Sequence, residues 1–204
     1  MIFNILLCVG DSITYGSRDE KGSSWPFEIE SILKKEAGGT WIALNEGKNG
    51  ETTSNLVRRF YQTVRKYPEA YEICMFEGMN DAKDEISTSP AMYKRNIEHC
   101  INCVITQQKK LLLGTIPKQN GLLAPNYSRR TNERINEYNK IIRYLSEKYT
   151  IPFVELSDLE KEMYADGIHL SNKGNVETAK RFAKMILEDR MKTDNTHIQS
   201  IGSK

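Results

Sequence analysis

The sequence predicts a three-layer α/β/α sandwich built on a mostly parallel sheet. Three observations predict it. Five short apolar runs alternate with segments of helical period, which is the pattern of strands joined by helical crossovers. Each apolar run is followed by Gly, Pro or polar turn residues. The chain has 204 residues, enough for one domain with a sizeable core.

The first strand is expected at Phe3–Val9, apolar through Ile5-Leu6-Leu7-Cys8-Val9. A helix follows at Trp25–Leu33, entered through Ser24 as N-cap with Pro26 in the first turn. Trp41–Leu44 is the second strand. Leu56–Tyr67 reads as a helix stopped near Pro68. The third strand is Glu72–Phe76. Ser89-Pro90 opens a helix with the stripe Tyr93, Ile97, Cys100, Ile101 and Val104. Lys110–Thr115 is the fourth strand. After it, Pro117–Ser128 is rich in Gly, Pro and Asn, and reads as a lid, a substrate loop or a plain surface connection. Ile135, Tyr138, Ile142, Leu145 and Tyr149 step by three and four along the next helix. Pro152–Leu156 is the fifth strand. Beyond Asn172, a candidate N-cap, Val176, Ala179, Phe182, Ala183, Ile186 and Leu187 mark the last helix. Residues 1–190 are expected to form the single domain, and 191–204 a polar, flexible tail.

Composition excludes several classes. The chain is 39% hydrophobic and 27% charged, with a net charge of +2. The charges are interspersed. Lys109-Lys110 and Arg129-Arg130 read as solvated faces, so no nucleic-acid partner is predicted. No apolar run is long enough for a membrane span. Met1 to Val9 lacks a basic leader region and a small-residue cleavage site, and reads as a strand and not a signal peptide. Cys8 and Cys74 fall in strands. Cys100-x-x-Cys103 beside His99 lies on a helix with no second ligand pair, so it reads as structural and no metal site is predicted. This cysteine usage fits a reducing, cytoplasmic setting. No phosphate-cradling glycine loop is present, and no cofactor is predicted.

Right-handed crossovers place the carboxyl ends of all strands on one edge. Four of those connections carry reactive residues: Gly10-Asp11-Ser12, Asn45-Glu46-Gly47-Lys48-Asn49-Gly50-Glu51-Thr52, Glu77-Gly78-Met79-Asn80-Asp81, and Asp166-Gly167-Ile168-His169. Taken singly, each has a plain alternative. Gly10-Asp11-Ser12 can be a polar strand-to-helix loop, with Gly10 and Gly16 easing the turn. His169 can be a helix-start or packing histidine, Asp166-Gly167 a turn, Gly50 a loop glycine, and Asn80-Asp81 a cap pair. Their joint occurrence favours chemistry. Ser12 is a candidate nucleophile, His169 its base, and Asp166 the group that fixes the imidazole tautomer. The N–H groups of Ser12 and Gly50 and the Asn80 amide are candidate oxyanion donors, each worth roughly 3 kcal/mol in the transition state. Asp11, Tyr15, Arg18 and Trp25 are candidate substrate contacts, though Tyr15 and Trp25 serve equally well as core or interface residues.

On these residues the chain resembles the GDSL/SGNH hydrolase superfamily. Gly10-Asp11-Ser12, Gly50, Gly78-x-Asn80-Asp81 and Asp166-x-x-His169 match its four blocks across nearly the whole chain. Ser24-Trp25-Pro26 resembles its thioesterase/lysophospholipase-like and arylesterase-like branch. The resemblance implies a flavodoxin-like, five-stranded parallel sheet and metal-free hydrolysis of small carboxylic esters or thioesters. It implies Ser12 as nucleophile, His169 as base, Asp166 as its partner, and Ser12, Gly50 and Asn80 as the oxyanion hole. A carbohydrate O-acetyl esterase and an acyltransferase would share this site. A non-catalytic carbohydrate- or ligand-binding protein on the same scaffold is the alternative of another class. Glu77 departs from the pattern, since the superfamily usually has an apolar or small residue there. Its charge would oppose an oxyanion unless it is paired or turned away. The polar approach to Gly50 hints at a polar substrate.

Overall fold

Aliphatic runs buried on both faces pair most readily as parallel strands, because crossover helices then cover each side. The computed structural model, which describes residues 3–18, 22–119 and 129–201, with side chains except at 129 and beyond 192, follows this logic. Strands β1 (Phe3–Gly10), β2 (Thr40–Gly47), β3 (Glu72–Phe76), β4 (Lys110–Gly114) and β5 (Phe153–Val154) form one sheet in the order β2-β1-β3-β4-β5. Every pairing is parallel. The helices are α1 (Ser12–Tyr15), α2 (Trp25–Ala37), α3 (Thr53–Lys66), α4 (Pro90–Thr106), α5 (Arg129–Tyr149) and α6 (Asn172–Ile201). Helices α2 and α6 pack together on one face, and α3, α4 and α5 on the other.

The order reverses at β1. The chain moves outward to β2, then returns to lay β3 on the far side of β1. Such a reversal opens a crevice beyond the carboxyl ends of the two central strands. Gly10 aligns with both Gly47 and Phe76, so three strands end level there. A Cβ on Gly10 would lie 2.1 Å from the Phe76 carbonyl oxygen and 2.3 Å from Thr14 Oγ1, so only glycine fits. Gly16 closes α1 in the left-handed region at φ 94°.

Several boundaries differ from the sequence expectation. Strand β2 continues through Asn45-Glu46-Gly47, because its polar side chains find partners: Asn45 Nδ2 donates to the Thr14 carbonyl at 2.9 Å, and Glu46 accepts from Tyr67 Oη at 2.7 Å. Helix α3 starts at Thr53, behind a Thr52–Asn55 capping box whose polar first turn carries no apolar period. Helix α5 also begins in a polar turn, at Arg129. Helix α6 continues to Ile201, through most of the segment expected as a tail. Lys109 is not a solvated charge. Its Nζ donates to the carbonyls of Tyr67 at 3.0 Å and Pro68 at 2.9 Å, in the turn that follows α3.

Within each helical layer an aromatic stack joins two helices. Trp25 and Phe182 lie 4.7 Å apart and join α2 to α6. Tyr93 and Tyr138 lie 4.1 Å apart and join α4 to α5. At the opposite edge from the crevice, Arg190 of α6 grips the buried Glu72 of β3, with Nε to Oε1 at 2.9 Å and Nη2 to Oε2 at 2.6 Å.

Candidate active site

Ser12 stands at the first position of α1, directly beyond β1. Asp11 caps that helix, its Oδ1 accepting the Ile13 N–H at 2.9 Å. The cap turns the chain sharply and aims the serine into the crevice.

The loop between the one-turn helix Lys161–Met163 and α6 carries the other two groups. A bridge between Tyr164 and Leu170 and the Ala165 N–H to His169 carbonyl bond at 2.8 Å close it into a tight finger. Within it, Asp166 Oδ1 accepts the backbone N–H groups of Ile168 at 3.1 Å and His169 at 2.8 Å. Asp166 Oδ2 lies 2.8 Å from His169 Nδ1. With that carboxylate holding the Nδ1 proton, Nε2 is left to accept a proton. Nε2 lies 3.0 Å from Ser12 Oγ, across 157 residues of sequence. Burial works to raise the Asp166 carboxyl, but the hydrogen bonds from the His169 ring and backbone outweigh it and hold Asp166 below its ordinary value. Asp166 is therefore an anion at neutral pH, the form that orients and stabilises an imidazolium.

Gly50 and Asn80 reach the same crevice from the β2–α3 and β3–α4 connections. The Lys48 N–H donates to the Gly10 carbonyl at 2.9 Å, which ties the Gly50 loop to the end of β1. Gly50 has φ 72°, a left-handed conformation that suits glycine. Asn80 Nδ2 donates to the Glu51 carbonyl at 2.8 Å. That bond fixes the orientation of the amide, whose side chain lines the cleft and has a second N–H to offer. Next to it, Asp81 accepts from Thr53 N at 2.8 Å and Thr53 Oγ1 at 2.6 Å, pinning the start of α3 to the β3 loop.

These groups line a cleft of about 430 Å³, bounded by Ser12, Ser17, Arg18, Asn49, Gly50, Asn80, Lys83, Ile168 and His169. Sequence reasoning missed Ser17, Asn49, Lys83 and Ile168 as wall residues. Their only signal was proximity to motif positions, for Asn49 precedes Gly50 and Ile168 precedes His169. Three expected substrate contacts do not line it. Trp25 is fully buried and stacked on Phe182, where its apolar bulk joins two helices. Asp11 is buried as a helix cap. Tyr15 is exposed to solvent at the end of α1. Of the Pro117–Ser128 loop, residues 120–128 lie outside the described residues.

Acidic groups lie beneath the cleft. Glu77 is 2% exposed, with Oε1 accepting the Gly78 N–H at 3.1 Å. Among the described residues, its Oε2 and Asp11 Oδ2 have no hydrogen-bond partner. Burial first, then the charges of Asp11, Asp81 and Glu51, push the Glu77 carboxyl well above its ordinary value. Burial likewise raises Asp11 to about 7. The neutral form of Glu77 is the favoured one, which removes the charge that would oppose an oxyanion. Glu51 instead is paired with Arg59, whose Nε lies 2.7 Å from Oε1. Cys100 is packed in the core, and Cys103 Sγ lies 3.6 Å from His99 Nε2. Among the described residues, no group of three or more His, Cys, Asp or Glu could hold a metal ion, and no helix is long and apolar enough to cross a membrane.

The family model described as the GDSL-like lipase/acylhydrolase family matches residues 8–176. Among solved structures, a lipase/acylhydrolase from Enterococcus faecalis is 23% identical, with a TM-score of 0.77 over 90% of this chain and 95% of that one. A carbohydrate acetylesterase from Sinorhizobium meliloti is 18% identical, with a TM-score of 0.77 over 91% of this chain and 99% of the other. The native M. smegmatis aryl esterase is 17% identical, with a TM-score of 0.78 over 91% and 99%. These likenesses show the shared fold. No curated protein matches the chain.

Proposed function

We propose a reaction that proceeds from one premise: the chain belongs to the GDSL-like lipase/acylhydrolase family, whose model covers most of its length. Within that family the chain is a serine esterase that acts on small carboxylic esters or thioesters through an acyl-enzyme. The observation that carries this reading is the hydrogen-bonded line from Asp166 through His169 to Ser12, with contacts of 2.8 Å and 3.0 Å.

Ser12 Oγ attacks the acyl carbonyl while His169 Nε2 takes its proton. The negative charge on the carbonyl oxygen is met by the N–H groups of Ser12 and Gly50 and by the Asn80 amide. The tetrahedral adduct collapses, and His169 returns the proton to the departing alcohol or thiol. Water then attacks the acyl-serine with His169 again as base, and the acid leaves. Asp166 stays ionised throughout and holds the imidazole in place.

Ser12→Ala should lower hydrolysis of p-nitrophenyl acetate by at least about ten-thousand-fold. The wild type should take one equivalent of a fluorophosphonate on Ser12. Full activity in the variant, or no adduct, would remove Ser12 from the role. The polar wall of the cleft, with Ile168 as the one apolar side chain among its described residues, favours a short acyl group on a polar alcohol, as in an O-acetylated carbohydrate. In a p-nitrophenyl ester series from acetate to dodecanoate, kcat/KM should then be greatest for acetate. The free thiols of Cys8, Cys74, Cys100 and Cys103 support a reducing, cytoplasmic setting.

A further inference from the structure

Among the described residues, the side chains that line the cleft are rich in hydrogen-bond donors. Arg18 and Lys83 bring fixed positive charge to it from two different connections, β1–α2 and β3–α4. Ser17 Oγ donates to Asn49 Oδ1 at 2.6 Å. That bond engages the Asn49 oxygen, and Asn49, which lines the cleft, also carries two amide N–H donors. Gly50 and Asn80 add further N–H donors. No carboxylate stands among the described lining residues. An anion needs donors alone.

Both cations stand on constrained backbone. Lys83 sits in a turn in which its N–H donates to the Asn80 carbonyl at 3.2 Å and its own carbonyl accepts from Ser87 at 2.7 Å. Arg18 adopts φ 67°, uncommon for a residue with a side chain. Its Nε is 3.9 Å from Asp166 Oδ2, beyond hydrogen-bond reach. The Asp166 oxygens are already engaged by His169 and by two backbone N–H groups. The guanidinium is 73% exposed and keeps its donor fork for a ligand.

We propose that Arg18 and Lys83 form an anion-recognition subsite beside the nucleophile, and that the substrate is a short-acyl ester carrying a carboxylate on its alcohol portion. This rests on the esterase reading above for the word ester, but the anion subsite itself does not depend on turnover.

The test uses two acetyl esters of matched shape, 4-acetoxybenzoate and the neutral 4-acetoxybenzamide, together with their 3-substituted isomers to cover the reach of both cations. The ratio of kcat/KM for the anionic over the neutral ester is measured in the wild type, Arg18→Gln, Lys83→Gln and the double variant. Any disturbance of Asp166 by loss of Arg18 affects both esters and cancels in the ratio. In parallel, calorimetry on Ser12→Ala measures binding of the same pairs without turnover. The wild-type ratio should fall about tenfold in the double variant, and by a smaller factor in each single one and in high salt. Calorimetric preference for the carboxylate should fall in the same way. A ratio that the substitutions leave unchanged, while both esters are hydrolysed, overturns the subsite and leaves the esterase reading standing. Selective carboxylate binding that depends on Arg18 and Lys83, with neither ester hydrolysed, overturns the esterase reading and leaves the subsite standing. Neither binding nor hydrolysis overturns both.

Discussion

Asn80 gives one amide N–H to the Glu51 carbonyl and so locks its side chain before any substrate arrives. A donor fixed in advance acts most strongly where charge develops, so its loss should appear in kcat and not in KM. Asn80→Ala is expected to lower kcat by about a hundred- to a thousand-fold with KM little changed, in steady-state kinetics on a short-chain ester. Glu77 works through its protonation state. Its folded value stands well above the ordinary 4.5, so the folded protein holds a proton that the unfolded chain releases. Such a group favours the fold at low pH and loses that contribution as pH rises from about the unfolded value through the folded one. Asp11, raised from 3.8 to about 7, acts in the same direction. Asp166, held low, acts oppositely and costs stability only in acid. The melting temperature should therefore decline between pH 5 and pH 8, and Glu77→Gln, neutral at every pH, should flatten that decline. An unchanged slope in the variant would show that Glu77 binds the same number of protons in the folded and unfolded chains across this window.

The connections between strands and helices place the site, and Asp81 shows how. Its two oxygens hold the backbone and side chain of Thr53, so α3 begins where the Gly50 loop ends and the Asn80 loop starts. Asp81→Ala should destabilise the protein by about 1–3 kcal/mol in urea unfolding, because it leaves the Thr53 N–H buried without an acceptor. It should also reduce kcat by freeing the adjacent Asn80. The same elements show what a sequence reveals. The runs Leu6-Leu7-Cys8-Val9 and Ile73-Cys74-Met75-Phe76 are buried on both faces and declare themselves as strands. The end of β2 and the first turns of α3 and α5 do not, because their polar residues are satisfied by local partners that leave no period. Ser12, Gly50, Asn80 and His169, which the structure brings to one cleft, could be picked out as candidates because each sits in a short polar motif beyond an apolar run. Asn49 and Lys83 could not, since a polar loop residue looks alike whether it faces a cleft or solvent. Trp25 carries an ambiguity of its own, because a large aromatic signals a pocket wall and a core contact equally.

At the scale of the whole molecule, helix α6 runs from the crevice to the opposite edge of the sheet. Its start follows His169, its middle stacks Phe182 on Trp25, and Arg190 grips Glu72 at the far end. Alternation of strand and helix does not say where the order reverses; the order β2-β1-β3-β4-β5 is the one implied by the flavodoxin-like fold that the family resemblance suggested. Within this frame His169 and Asp166 are three residues apart in one small loop, whereas Ser12 comes from the other end of the chain. The two contacts of that line therefore differ in what can break them. The Asp166–His169 pair survives any motion that carries its loop as a unit, but the His169–Ser12 contact lasts only while α6 is seated on the sheet. Catalysis is thus a gauge of docking between the first and last parts of the chain. In a urea titration, ester hydrolysis should fade at lower denaturant than the helical circular-dichroism signal, as the seam between the two ends parts while each end keeps its own order.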